Sequence, residues 1–376
     1  MTISKAQFPI LQSGIYANHA AVSPWPDVVS DAIAAFAEEN KVAGPRNYRD
    51  WITRERQLRG QITTLIGADS SQDIALLKNT TEGICTVAFG FPWCNGDNVV
   101  IPKGEFPSNR LPWLAQQKRD VEIREVDVRD TSDPEGALLA AMDDKTRILA
   151  VSSVQYSDGF RLDVSKLGSA CQVADVFFFV DAIQHLGALP IDVDSSHIDC
   201  LAADAHKWLL GPEGIAIFFC REPLRSMLKL QQVGWHMYEN PWIFDRPDWS
   251  PAKSAKRFEA GTPNTLGQVG LNASLSTFLE QGMSAVSDAI LRNTRMLTNG
   301  ISSMPGLRVS SRTSKNRQSG IVSFNTTDHD LRELYGRITK AGVDCALRSG
   351  SIRLSPHYYQ DEMVMERLLE IVEDSL

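Results

Sequence analysis

Six short apolar segments punctuate the middle of this chain of 376 residues, at 74–77, 98–101, 148–154, 176–180, 198–203 and 215–220. They are rich in Val, Ile and Phe, and Gly, Asp, Asn or Pro bound them. They do not alternate with polar residues, as a half-exposed strand would. Unbroken apolar runs of this length suit strands buried on both faces. Between them lie helical patterns, such as 81–89 and 164–174. Strand–helix alternation predicts an α/β lobe whose mostly parallel sheet is covered by helices. Residues 226–264 carry Trp, Pro and Asp without periodicity and read as a long ordered loop. Beyond it the pattern predicts helices at 266–281 and 283–300, a strand at 320–325, a helix at 330–341, a strand at 351–355 and an amphipathic helix at 361–375. The expected organisation is an N-terminal segment (1–25), a large domain (26–264) and a small α+β domain (265–376).

Composition narrows the function classes. Lys and Arg total 38 against 46 Asp and Glu, a net charge of −8. An acidic chain is a poor match for phosphate backbones, so no nucleic-acid partner is expected. No apolar run approaches the roughly 20 residues of a membrane helix, and residues 1–12 lack the basic and apolar regions of a signal peptide. Cys85, Cys94, Cys171, Cys200, Cys220 and Cys345 are scattered, with no C-x-x-C pair. Neither a zinc knuckle nor a disulfide framework is expected, and a reduced cytoplasmic protein is the simplest reading. The seven histidines lack metal spacing, so no metal is expected. No G-x-G-x-x-G follows the first predicted strand, which argues against a dinucleotide-binding protein.

The most informative stretch is 176–214, VFFFVDAIQHLGALPIDVDSSHIDCLAADAHKWLLGPEG. Functional groups in an open parallel sheet collect beyond the carboxyl ends of its strands. Asp181 follows the run 176–180 and Lys207 follows 198–203, so both are expected at that edge. Spacing alone leaves two readings open: a paired site, or a helix-capping aspartate beside a solvated lysine.

The residue order adds more. Asp181-x-x-Gln184-His185, Asp204-Ala205-His206-Lys207-Trp208 and Gly211-Pro212-Glu213-Gly214 follow one another, with Asn79-Thr80-Thr81-Glu82 upstream and Arg353-x-Ser355-Pro356-His357-Tyr358 near the end. In these motifs the sequence resembles the class V aminotransferases, fold-type I enzymes that use pyridoxal 5'-phosphate (PLP). Cysteine desulfurases, selenocysteine lyases, kynureninases and isopenicillin-epimerase-like proteins belong to that family. The resemblance runs from about Asn18 to the C-terminus. It implies a large lobe with a mostly parallel seven-stranded sheet and a smaller α+β C-terminal lobe.

The resemblance also implies roles. Lys207 would form an internal aldimine with PLP and then move the substrate's α-proton. A partly desolvated lysine beside a cationic ring can do that near neutral pH. Asp181 would pair with the protonated pyridine nitrogen, and Gln184 would hydrogen-bond the phenolic oxygen. Thr80 and Thr81, between a strand and a helix, would cradle the phosphate with His206. Thr262 would reach the phosphate of a partner subunit, which implies a homodimer. Phe106 would stack on the cofactor face, and Gln155 or Tyr156 would approach it. Arg353 would bind the substrate carboxylate as a planar fork, with Arg348 in the same pocket. His19 lies in an N-terminal segment that covers the active site in the family and would touch substrate, or be a structural histidine. Trp235, His236, Tyr238 and Trp242 would line a pocket, or support the 231–250 loop or the dimer.

Two departures from the desulfurases bear on the outcome. Phe106 stands where they typically carry histidine. The interval 342–353 is short, and Cys345 is its only cysteine; no histidine lies nearby in sequence to lower its pKa, so persulfide chemistry is disfavoured. The expected activity is that of an aminotransferase acting on an amino acid or related amine. A C–S or other β/γ-elimination lyase, or an amino-acid epimerase, is the alternative.

Overall fold

The computed structural model describes residues 8–245, 250–312, 314 and 316–376. Residues 1–7 of the expected N-terminal segment, and Arg246, Pro247, Asp248 and Trp249 of the Trp-rich loop, lie outside the described residues.

In chain order, β1 (Ile15–Tyr16) precedes α1 (Asp27–Ala43) and α2 (Tyr48–Ile66). The central unit comes next: β2 (Ile74–Leu77), α3 (Thr80–Gly90), β3 (Asn98–Pro102), α4 (Leu111–Leu114), β4 (Glu122–Val126), α5 (Pro134–Ala140), β5 (Thr146–Ser152), α6 (Val164–Ala174), β6 (Phe177–Asp181), β7 (Cys200–Asp204), β8 (Ala216–Cys220) and α7 (Leu224–Met227). The chain ends with α8 (Thr265–Gln281), α9 (Met283–Ser303), β9 (Leu307–Val309), β10 (Val322–Thr326), α10 (Leu331–Lys340), β11 (Val343–Asp344), β12 (Ala346–Arg348), β13 (Ser351–Leu354) and α11 (Glu362–Asp374).

The seven-stranded sheet has the order β2-β8-β7-β6-β5-β3-β4. β8 is antiparallel to both neighbours, and every other pairing is parallel. Successive residues of β6 alternate between two cores. Phe178 and Val180 join Leu58 of α2, Leu167 of α6 and Leu271 of α8. Phe179 joins Ile84 and Val87 of α3 and Trp113 of α4. Burial on both faces is why these strands read as continuous apolar runs. The six expected runs supply six strands. The seventh, β4, had no apolar run to mark it. It reads Glu-Ile-Arg-Glu-Val and lies at the sheet edge, only partly buried. Arg124 there pairs with Glu122 and Asp143 at 2.8 and 2.7 Å. Charge blunts an edge against further pairing, and the same charge removes the apolar signature.

Asn264 caps α8, its side-chain oxygen accepting the Gly267 N–H at 3.0 Å. α8 lies against α1 and α2, whereas α9 lies against β9, β10 and α11. The small unit is the antiparallel sheet β12-β13-β10-β9 over a core that includes Leu297, Phe324, Ile338 and Leu368. β1 pairs in parallel with β11, so the N-terminal segment is joined to this unit. The stretch expected as a long loop is held by short turns, Trp235–Met237 and Ala255–Phe258. Among the described residues no helix is long and apolar enough to cross a membrane.

This topology positions the site. β7 and β6 are parallel, and β8 is antiparallel to both β7 and β2. The carboxyl ends of β2, β6 and β7 therefore share one edge, where Thr80, Asp181 and Lys207 emerge.

Candidate active site

Lys207 sits three residues beyond β7. Its carbonyl accepts the Leu210 N–H at 3.0 Å and the Ser23 hydroxyl. The Ser23 N–H bonds the His206 carbonyl at 2.7 Å, so the N-terminal segment clasps the lysine-bearing loop. Gly187 faces this loop from the β6 side with φ +95°, and a Cβ there would lie 2.4 Å from the Trp208 carbonyl oxygen. Only glycine tolerates both the backbone conformation and the approach.

Lys207 opens into a cavity of about 310 Å³. Asp181, Gln184 and His206 line it with Lys207, Thr80 and Thr81 come from the start of α3, and Phe106 comes from the turn after β3. The small unit adds Arg348 and Arg353. The sheet edge and the small unit thus converge on one space. Of the candidates read from the sequence, His19, Gln155, Thr262 and the loop residues Trp235, His236, Tyr238 and Trp242 do not line it; the others do.

Burial governs its electrostatics. Asp181 is 2% exposed and accepts the Ile183 N–H at 3.0 Å. Burial pushes its carboxyl up to about 7, with the nearby Glu105 charge acting the same way and Lys207 opposing. Burial lowers the Lys207 ammonium to about 8; Arg353 and Arg348 push it down further, while Asp181 and Asp204 oppose. Lys207 therefore reaches its neutral, basic form close to physiological pH. Its Nζ is 5.7 Å from the Phe106 ring centroid, and the Phe106 ring meets Tyr156 edge-on at 5.2 Å. Arg353 is 2% exposed and donates to the Tyr156 carbonyl at 2.6 Å, but its Nε is buried without a partner. Burial, then the Arg348 charge, lowers it to about 10. An anion would satisfy that fork.

Gln184 is partly engaged. Its Oε1 accepts the Trp208 indole N–H and its Nε2 donates to the Ala20 carbonyl, both at 2.9 Å. One amide N–H remains for the cavity. Thr80 is engaged fully: its N–H and hydroxyl donate to Oδ2 of Asp204 at 3.1 and 3.0 Å, and its oxygen accepts the Asp204 N–H. Direct phosphate donation from Thr80, as the motif suggested, would compete with those bonds. The Thr81 hydroxyl donates to Ser108 at 2.8 Å, which leaves the Ser108 hydroxyl proton free to turn toward the cavity.

His19 does not line the cavity. Its ring is fully buried and spans the fold, bonding the Ser355 carbonyl at 2.8 Å and the Tyr359 hydroxyl at 2.7 Å. Thr262 lies in a different cavity of about 530 Å³, with Lys78, Gly214 and Val233. Of the two residues after β5 in view, Tyr156 lines the cavity, whereas Gln155 turns to Glu105 at 3.0 Å. Sequence reading assigned nothing to Asp204, Glu105 or Ser108. Asp204 carried a signal, a carboxylate ending a buried strand two residues before a histidine. Glu105 carried only its place beside Phe106; it is buried and takes the Ser152 N–H at 2.6 Å and the Ser152 hydroxyl.

The family model described as Aminotransferase class-V matches residues 15–364. The chain belongs to the class V aminotransferase family. Within it, the chain is 30% identical to a probable cysteine desulfurase of Methanothermobacter thermautotrophicus, over 98% of this chain and 96% of that protein. It is 27% identical to an uncharacterized aminotransferase, YcbU, of Bacillus subtilis, over 96% and 95% of the two chains. Its fold matches that of the cystine C–S lyase C-DES in complex with its product cysteine persulfide, with a TM-score of 0.88, 24% identity and coverage of 98% and 99%. In this class V chain Cys345 does not line the cavity. It is buried, and burial, then Asp344, pushes its thiol up to about 12. A thiol in that state is inert as a nucleophile.

Proposed function

We propose that the cavity is the active site of a PLP-dependent lyase that cleaves the bond between the β-carbon and sulfur of a cysteine-like amino acid, without a cysteine nucleophile. The observation that supports it most is the joint burial of Lys207 and Asp181 in one cavity that holds no thiol. The cavity also suits the cofactor. Arg353 Nε is a buried donor without a partner, and the His206 ring has an unpartnered buried Nδ1; both residues line the cavity and suit an anionic substrate and an anionic cofactor group.

When bound, PLP supplies a sink for the electron pair released at the substrate's α-carbon. Lys207 would hold the cofactor covalently when substrate is absent. Asp181, buried beside Lys207, would hold the ring N–H and gain the cation that relieves its burial. Gln184 offers its remaining amide N–H, and Phe106 would cover a ring face. His206, Thr81 and Ser108 offer donors to the phosphate. Arg353 binds the substrate carboxylate, which fixes the α-carbon for Lys207. Neutral Lys207 removes the α-proton and, as an ammonium, gives a proton to the departing sulfur. For cysteine the balance is one water consumed, with pyruvate, ammonia and hydrogen sulfide released.

Arginine, basic lysine and acid partner serve amino transfer equally. That is the second reading, favoured by the relative named an aminotransferase. The test gives the PLP-loaded protein cystine, cysteine and β-chloroalanine, with and without a keto-acid acceptor. Equimolar pyruvate and ammonia, abolished by Lys207→Ala, is the expected result. Stoichiometric amino transfer without pyruvate would overturn the lyase reading. Failure of borohydride to fix PLP onto Lys207 would overturn both.

The active form is proposed to be a homodimer, because Thr262 lies away from its own chain's cavity. Sedimentation of the loaded protein, with Thr262→Ala tested for PLP affinity, checks this.

A further inference from the structure

Asp204 and His206 sit two residues apart at the end of β7, and each leaves one buried atom unspent. Oδ2 of Asp204 is saturated by the N–H and hydroxyl of Thr80. Oδ1 of Asp204 has no partner, nor has Nδ1 of His206, and these two atoms are 3.9 Å apart. An orphaned buried polar atom carries the cost of its desolvation with nothing gained in return. Two of them facing each other mark a contact that a modest turn of the imidazole would close. His206 lines the cavity beside Thr81 and Ser108. Among the first N–H groups of α3, Thr80 is spent on Asp204, and Glu82 and Gly83 on Asn79. The Thr81 N–H is left at the cavity.

We propose that Asp204 is a positioning residue for the cofactor phosphate: Oδ2 fixes the start of α3 through Thr80, and Oδ1 takes the Nδ1–H of His206, so that the ring presents its Nε2–H, as an imidazolium, to the phosphate. This rests on the PLP reading above. A carboxylate at Nδ1 rules out the neutral form that is useful to an anion. With one proton on the ring, either Asp204 faces a bare nitrogen or the phosphate does. Both are satisfied only when both nitrogens are protonated. Without an anion, burial disfavours that charge. The charged groups facing His206 are Asp204 and Glu213, which favour the imidazolium, and Lys207, which opposes it. A phosphate dianion adds the missing counter-charge and closes a carboxylate–imidazolium–phosphate array. Phosphate binding therefore takes up a proton, and affinity falls as pH rises from the titration of the free histidine up to that of the bound one, then levels off.

Pyridoxal shares the Lys207 chemistry of PLP but lacks the phosphate, so the ratio of the two dissociation constants isolates the cradle. Cofactor-free protein is titrated with each between pH 7 and 9.5. In the wild type the advantage of PLP over pyridoxal should shrink roughly tenfold or more across that range. In Asp204→Asn the amide oxygen must serve Thr80 and its NH2 faces Nδ1, which holds the ring neutral. The advantage should then be smaller at pH 7 and independent of pH. A wild-type ratio flat with pH, or an Asp204→Asn ratio with the wild-type value and slope, overturns the proposal. Should the variant not fold, histidine-selective 15N NMR of the wild type with inorganic phosphate decides. Two protonated nitrogens on His206 are expected; a bare Nδ1 in the phosphate-bound form overturns it. If neither PLP nor pyridoxal can be fixed onto Lys207 by borohydride, the PLP reading fails instead, and the phosphate NMR still tests the dyad.

Discussion

Replacing Asp181 with Asn should stabilise the cofactor-free protein while weakening its hold on the cofactor. In the folded chain burial holds the Asp181 carboxyl up at about 7, against an ordinary 3.8. The folded state therefore keeps a proton that the unfolded chain has released, and stability falls as pH rises between those values. From pH 5 to pH 7 that is two units, or about 3 kcal/mol lost by the wild type. Asn cannot ionise, and its side-chain oxygen can still accept the Ile183 N–H. Its stability advantage should grow by about 3 kcal/mol between pH 5 and pH 8, on the order of 5 °C in melting temperature. Lys207 titrates higher, at about 8, and the Asp181 charge helps to hold it up, so its ammonium should titrate lower in the variant. The assay is thermal unfolding of cofactor-free wild type and variant at both pH values, repeated with saturating PLP. The order should reverse when PLP is present, because only the carboxylate can hold the ring N–H as an ion pair. Equal melting-temperature differences at pH 5 and pH 8 would refute the claim that a buried, strained carboxylate awaits a cation there.

The geometry sets three further expectations. Cys345→Ala should leave sulfide release within a factor of about two, since its thiol is buried and pushed up to about 12; loss of turnover measured by sulfide trapping would restore a desulfurase mechanism. Arg353→Lys should lower kcat/KM for amino acids roughly 10- to 100-fold through KM, because a point charge replaces a fork; steady-state kinetics showing an unchanged KM would remove Arg353 from substrate binding. Gly320→Ala would set a Cβ 2.2 Å from the Trp208 ring, so denaturant unfolding should show a loss of about 1–3 kcal/mol from overpacking; an unchanged midpoint would mean that the wall behind the lysine loop yields easily.

The buried strands were legible because both faces of β6 and β7 are covered, so their apolar character never alternates. The placing of Lys207 and Asp181 at one edge was legible for the same reason: Asp181 ends such a strand and Lys207 follows one, whereas their roles came only from the resemblance. The charged edge strand β4 was not legible, because its stability comes from one neighbour and from ion pairs rather than from a buried run. The fates of His19 and Thr80 were beyond sequence as well. Their motif positions are ordinary, but one ring bridges Ser355, just beyond β13, and Tyr359, in the turn before α11, and one hydroxyl is claimed by a carboxylate 124 residues away. Local pattern sets which residues stand at the edge of a sheet. Which of them keep a free hydrogen-bonding atom depends on partners from distant segments, and burial then fixes the proton affinities of Asp181, Lys207 and Arg353. Both are properties of the packed three-dimensional neighbourhood, which no linear spacing encodes.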